Sequence, residues 1–284
     1  MRAPSPPPAE AMARLTDALA ASRRLLVLTG AGCSTASGIA DYRDEDGAWK
    51  RPRRPIQHAE FVGSAAGRQR YWARSAVGWP RFRAAAPARA HDALAALETR
   101  GAMTRLVTQN VDRLHQRAGS REVVDLHGRL DHVVCLACHD IVSRDAWQDV
   151  LLAENPAFAA RATAFAPDGD ADLDDEDTTS FVVPSCPGCG GVMKPDVVFY
   201  GGNVPAQRVS GVHDDVDASD ALLVVGSSLM VFSGFRFVRR AVAANKPVLV
   251  VNRGRTRADE LATLKVEGDC GDVLAAALAG LGAA

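Results

Sequence analysis

Hydrophobic residues recur along this chain in two alternating rhythms. Residues 9–22 set Met12, Leu15 and Leu19 at the spacing of one helix face. Residues 25–29 (LLVLT) then form an unbroken apolar run, too short for a buried helix, which reads as a strand covered on both faces. Residues 104–108, 221–225 and 247–251 repeat that design, and residues 122–126 are strand-like. Each of the four apolar runs stops at small or polar residues: Gly30-Ala31-Gly32, Gln109-Asn110, Gly226-Ser227-Ser228 and Asn252-Arg253-Gly254. Helical patterns at 91–99 and 235–244 lie between them. Strands alternating with helices predict an α/β fold, a doubly wound parallel sheet with ligands at the carboxyl ends of its strands.

Two stretches break the rhythm. Residues 44–87 are rich in Arg and aromatic residues without a strand pattern, and read as a mostly helical insertion. Residues 128–191 carry two C-x-x-C steps, Cys135/Cys138 and Cys186/Cys189, and an acidic segment at 168–177 that reads as a solvated loop. The expected organisation is a discontinuous large domain (9–43, 88–127 and 192–279), a helical insertion (44–87) and a small metal-stapled module (128–191).

Composition narrows the classes. The chain has 284 residues, 47% hydrophobic and 24% charged, the profile of a globular protein with room for a sizeable core. Lys+Arg 33 against Asp+Glu 34 leaves a net charge of -1, which gives no overall grip on nucleic acid or an anionic membrane. No apolar run approaches the about 18 residues that span a bilayer. The Pro-rich start lacks the apolar stretch of a secretory signal, so a chain that is not exported is expected. In that setting paired C-x-x-C steps suggest one Zn²⁺ held by four thiolates, a closed and therefore structural site. A redox C-x-x-C would need only one pair.

The candidate chemistry sits at the strand ends. Gly30-Ala31-Gly32-Cys33-Ser34 could let backbone amides approach a diphosphate, although its glycine spacing departs from the usual dinucleotide fingerprint and an ordinary tight turn fits equally well. Asp41, Tyr42 and Arg43 follow it. Gln109, Asn110 and Asp112 place three polar groups where a buried strand ends, a cost unless they meet partners or a ligand. His127, before Gly128, is a candidate general base whose ordinary pKa lies near neutrality.

Taken together and in order, GAGCSTASGIADYR, TQNVDRLH, LHG, CLAC, CPGCGG, MKPDVVFYGG, VVGSSL, VVNRG and GDCGDVL resemble the sirtuin family of NAD-dependent protein-lysine deacylases over residues 25–274. The Ser-Thr of the first motif and RQRYWAR at 68–74 resemble the class II branch, especially its mitochondrial type. The resemblance implies a Rossmann-like domain, an inserted zinc ribbon with a helical part, and NAD in the cleft between them. It implies that Gly30, Ala31, Gly32, Cys33 and Ser34 line the diphosphate loop. Asp41, Tyr42, Arg43, Gln109, Asn110 and Asp112 would surround the nicotinamide ribose, and Gly226, Ser227, Ser228, Asn252, Arg253 and Cys270 the phosphates, ribose and adenine. His127 matches the catalytic histidine, with Asn110 beside it. Val197, Val198 and Phe199 match the stretch that clamps the substrate backbone by strand addition. Tyr71 and Arg74 match a pair that reads acidic acyl groups, although packing and a surface position explain them as well.

The implied reaction joins the acyl oxygen of an acyl-lysine to the NAD ribose and releases nicotinamide; a ribose hydroxyl, relieved of its proton by His127, then attacks the acyl carbon, and water completes the release of free lysine and O-acyl-ADP-ribose. The substrate partner would be an acyl-lysine protein or peptide, with no nucleic acid or membrane involved. A monomer is expected, cytoplasmic in a bacterium or in the mitochondrial matrix of a eukaryote. Transfer of ADP-ribose to a protein would use the same pocket and is the alternative. Two departures stand out: Ala40 replaces the family's usual Pro, and Phe199-Tyr200-Gly201-Gly202 replaces F-G-E.

Overall fold

The computed structural model describes residues 7–41, 55–158, 171, 173–174 and 178–282. Tyr42, Arg43 and most of the acidic 168–177 segment lie outside the described residues. Six strands, β1 (Leu25–Thr29), β2 (Met103–Thr108), β3 (Val123–Asp125), β7 (Ala221–Val225), β8 (Val248–Asn252) and β9 (Leu264–Glu267), form one parallel sheet. Their order is β3-β2-β1-β7-β8-β9. The chain therefore builds outward from β1 to β3, returns to the other side of β1 and builds outward again. Connections diverge between β1 and β7, the switch point where an open α/β sheet offers a crevice.

The sequence of β1 shows why the sheet is covered on both faces. Leu25 and Val27 enter a core with α1 (Ala9–Ala21), α4 (Arg89–Thr99) and α9 (Cys270–Gly282). Leu26 and Leu28 enter a second core with α7 (Ala206–Ala218) and α8 (Phe232–Ala243). All four are at most 1% exposed, and burying each such side chain contributes roughly 1.5–3 kcal/mol before chain entropy is counted. An alternating pattern would have left one face wet; the continuous run serves both.

The remaining elements form a smaller lobe. A three-stranded antiparallel sheet, ordered β5-β4-β6, contains β4 (Gly128–Cys135), β5 (Ile141–Ser143) and β6 (Met193–Val197). Helices α2 (His58–Gly63), α3 (Ala65–Ala84) and α6 (Arg144–Glu154) pack on it. Phe61, Trp72 and Ala76 of the helical insertion share one core with Val133, Cys135 and Met193 of the small sheet, so the two parts pack as one lobe. Ser64 caps α3 by accepting from the Gly67 amide at 3.0 Å. Buried Arg144 ties α6 to α3: it donates to Gln148 (2.7 Å) and the Ser75 carbonyl (3.2 Å), with Trp72 and Trp79 facing its guanidinium. No helix among the described residues is long and apolar enough to cross a membrane.

Candidate active site

The loops after β1 and β7 meet at the switch point. Gly30 donates to the Val225 carbonyl (3.1 Å) and Gly32 to the Gly226 carbonyl (2.8 Å). A Cβ on Gly226 would lie 2.6 Å from the Cys33 amide nitrogen, and its φ of +61° suits only glycine well. The two backbones are in contact, and side chains there would force the crevice apart.

Polar side chains at the end of β2 satisfy one another in one network. Asn110 uses its amide hydrogens on the Gly30 carbonyl and Ser34 Oγ, both at 3.1 Å, which leaves Oδ1 for a ligand. Ser34 Oγ donates to Asp112 Oδ2 at 2.7 Å. His91 Nδ1 accepts from the Ala88 amide (3.1 Å), so its Nε2 carries the hydrogen that faces Ser34 Oγ at 3.4 Å. Gln109 donates to Ser227 Oγ (2.8 Å) and the Thr29 carbonyl (3.1 Å), tying β2 to β1 and β7. Beneath them His115 meets Thr29 Oγ1 at 2.9 Å, and burial, with His91 adding, pushes its pKa down to about 3. His91 is shifted down as well, by burial, against the opposing pull of Asp112.

His127 sits just before β4, where the large lobe passes into the small one. Its Nδ1 lies 2.9 Å from the Gln109 carbonyl, which can only accept, so Nδ1 holds the proton and Nε2 the lone pair. That lone pair accepts from Ser233 Oγ at 2.7 Å. Burial pushes the pKa of His127 down to about 4; the Gln109 carbonyl pulls it up, while the charges of Arg208 and Arg236 push it further down. Half-buried and neutral near pH 7, it borders the cleft as a base whose lone pair is engaged by the Ser233 hydroxyl.

Two cavities share this floor. The first, about 410 Å³, runs along the carboxyl ends of β1, β7 and β8. Gly30, Ala31, Gly32 and Asp41 line it from one side and Gly226, Ser227 and Ser228 from the other. Asn252, Arg253 and Cys270 close its far end. The second, about 350 Å³, opens between the lobes. Ser34, Asp112, Val197, Val198, Phe199 and Tyr71 line it. Gln109, Asn110 and His127 border both cavities, which brings the motif residues to one junction.

Cys33 lies behind the loop it belongs to, 1% exposed, with Sγ toward the Val225 carbonyl (3.5 Å). The side chain of Cys270, above all, and then burial raise its pKa, so it is an inert thiol under the crevice. Of the pair expected to read acidic acyl groups, Tyr71 lines the second cavity. Tyr71 is buried edge-on against Phe61, Trp72 and Phe199. Arg74 Nε donates to the Leu173 carbonyl (3.1 Å), and among the described residues lining the second cavity Arg74 does not occur. Sequence reasoning also passed over Ser233, Ile39, Ile56, Phe82 and Leu130. Ile39 lies inside the first motif, whereas Ser233, Ile56, Phe82 and Leu130 share no spacing with the motifs, and only the closure of one lobe on the other brings them together.

The four paired cysteines converge, with all their sulfurs within 4.8 Å of one another and none in a disulfide. Cys135–Cys189 and Cys138–Cys186 are 3.5 and 3.8 Å apart, close to the ~3.8 Å between thiolates sharing a tetrahedral Zn²⁺. Amides of Cys138 and Ala137 face the Cys135 sulfur and favour its thiolate form, the kind of backbone hydrogen bonding that supports a metal-bound sulfur. A Cβ on Gly191 would strike Cys135 Sγ at 2.8 Å. The donor set fits one zinc ion and leaves no open coordination position.

The fold and cleft define a doubly wound nucleotide-site α/β protein with a thiolate-stapled second lobe. The Sir2 family model matches residues 30–233, and the chain belongs to that family. An NAD-dependent protein deacetylase of Xanthomonas campestris pv. campestris (strain 8004) is 58% identical over 253 residues, 89% of this chain and 86% of that relative. The mitochondrial NAD-dependent protein lipoamidase sirtuin-4 of Bos taurus is 50% identical over 274 residues, 95% of this chain and 87% of that relative. Among solved structures, a Sir2 complex with p53 peptide and NAD+ superposes with a TM-score of 0.77 at 28% identity, covering 96% of this chain and 99% of its own.

Proposed function

We propose that this protein removes acyl groups from protein lysine side chains in an NAD-dependent reaction. The observation that carries the reading is the position of His127, a neutral base at the junction of a phosphate-type crevice and an apolar channel, whose Nε2 lone pair is held only by the exchangeable Ser233 hydroxyl. Bound NAD would supply a ribose carbon from which nicotinamide departs. Glycine amides at 30–32 and 226, with Ser227 and Ser228, would hold its phosphates; Asn252, Arg253 and Cys270 would hold its adenosine end. Asp41, Asn110 and Asp112 would fix the ribose, Asn110 through the Oδ1 left open by its other bonds. Cys33 and Gln109 would support that wall from behind. An amide oxygen is a weak nucleophile, so most of the rate must come from holding it in line with the ribose carbon away from water.

His127 then accepts a proton at Nε2 from a hydroxyl that displaces Ser233, and the Gln109 carbonyl stabilises the imidazolium through Nδ1. Val197, Val198 and Phe199 would pair with the extended substrate backbone, continuing the small sheet. Ile39, Ile56, Tyr71, Phe82 and Leu130 form an apolar chamber beyond the lysine, which suits uncharged acyl groups from acetyl to lipoyl size. We read Arg74 as acting through the segment it holds at Leu173. The zinc staples the small lobe and takes no part in the reaction. We further propose a monomeric cytoplasmic enzyme that binds no nucleic acid.

Incubation with NAD and acetyl-, lipoyl- and succinyl-lysine peptides, read by mass spectrometry, tests the proposal. Free-lysine peptide with an equal amount of O-acyl-ADP-ribose is expected. ADP-ribosylated protein with intact acyl peptide would overturn it in favour of ADP-ribose transfer.

A further inference from the structure

One cation lines the substrate channel without lining the cofactor crevice. Arg236, one turn into α8, lines the second cavity with Phe232, Ser233 and His127. Its guanidinium lies against the Phe232 ring, with Cζ 5.1 Å from the centroid, and Phe232 is 48% exposed, so the pair stands at the channel mouth. No nitrogen of the Arg236 guanidinium has a hydrogen-bond or ion-pair partner among the described residues, and its Nε is sealed from solvent, which leaves the terminal nitrogens as the groups for a ligand. Arg208, the second cation near His127, donates to the Leu126 carbonyl at 3.1 Å. Among the described residues neither arginine is paired with a carboxylate. Of the three aspartates on the adjoining helix, Asp217 is held by Arg240 through two bonds of 2.8 and 2.5 Å, Asp215 lies 3.5 Å from Arg105, and Asp214 pairs with neither Arg208 nor Arg236. A half-buried guanidinium with an unpartnered N–H, beside an exposed aromatic ring, is costly unless an anion arrives with the ligand.

Resting on the deacylase reading, we infer that Arg236 is a subsite for the carboxylate of an Asp or Glu side chain flanking the acyl-lysine. A substrate strand lying along Val197–Phe199 must pass between that segment and residues 231–236 of the large lobe, which brings its flanking side chains to Phe232 and Arg236. The acyl group itself would run toward Tyr71 and Leu130, which line the cavity from the other lobe. A flanking carboxylate would also offset the positive field that Arg208 and Arg236 impose on His127, so the subsite couples recognition to the base.

The test uses acetyl-lysine peptides carrying Asp, Asn or Lys in turn at each of the neighbouring positions, with succinyl-lysine peptides flanked only by neutral residues. Binding is measured by calorimetry separately from turnover. The wild-type protein should bind an Asp-flanked peptide at least ~5-fold more tightly than its Asn twin at one or more positions, and the advantage should shrink with added salt. Arg236→Lys should keep the ratio in part, Arg236→Gln should bring it to one, and Arg236→Glu should favour the Lys-flanked peptide. Equal Asp/Asn ratios in wild type and Arg236→Gln would overturn the inference. So would an Arg236→Gln effect confined to succinyl-lysine, which would put the carboxylate on the acyl group. Peptides that bind with this charge dependence but are never deacylated would instead sink the deacylase reading and leave the subsite standing.

Discussion

His127 owes its chemistry to two bonds at opposite ends of one ring. The Gln109 carbonyl fixes the proton on Nδ1, and Ser233 occupies the lone pair until a better donor arrives. Replacing His127 with Ala removes the base without removing a core contact. The variant should stay folded, retain one zinc per chain and lose at least ~10²-fold in turnover; near-normal turnover would defeat the assignment. Because the His127 pKa is pushed down to about 4, the neutral base is present throughout the neutral range. The acid limb of kcat/KM should therefore fall below the ordinary histidine value of 6.5, toward 4, and a limb above 6.5 would contradict the site. Arg74→Ala removes a bond to Leu173 and not a lining group, so the ratio of succinyl- to acetyl-peptide turnover should stay within about twofold of wild type. A selective loss of succinyl turnover would restore the acid clamp.

Among the elements, the β1 and β7 loops carry the strictest geometric demand. Gly226 combines a left-handed backbone with a 2.6 Å approach to Cys33. Gly226→Ala should cost about 2 kcal/mol or more in stability, read as a lower urea midpoint, and NAD affinity should fall with it. In the small lobe, Arg144 lies between Trp72 and Trp79 and bonds to both helices. Its guanidinium serves as packing material as much as a charge, which is why a residue of this type sits at 1% exposure.

At the scale of the molecule, the small lobe has one core shared by the zinc-site strands and the helical insertion, with Cys135 and Cys186 inside it. Removing the metal with a chelator should release one zinc and abolish activity. Hydrogen exchange should rise across β4, β5 and β6 while β1, β7 and β8 stay protected; uniform unfolding would show that the lobes are not separable. His91, His115 and His127 are all held neutral by burial, below their unfolded value of 6.5. Their contribution to stability is full above 6.5 and is lost as pH falls toward 4 and 3, because the unfolded chain then takes up protons the fold refuses. The urea midpoint should accordingly drop between about pH 7 and about pH 5, and a rise over that interval would count against the buried network.

The sequence alone determined what is local and periodic. Unbroken runs such as 25–29 and 221–225 became strands buried on both faces, and the two C-x-x-C steps declared a thiolate site, because both signals depend on neighbours a few residues away. Motif order was enough to reach the family and hence the outline of the cleft. Tertiary structure decided what depends on residues far apart. Asn110 keeps Oδ1 open only because Ser34 and Gly30 take its hydrogens, and His127 is a neutral base only because Gln109 and Ser233 reach it from two other elements. Arg74 turns to Leu173 and Arg236 turns to the channel for the same reason: a long charged side chain has many rotamers, and only the surrounding fold selects one.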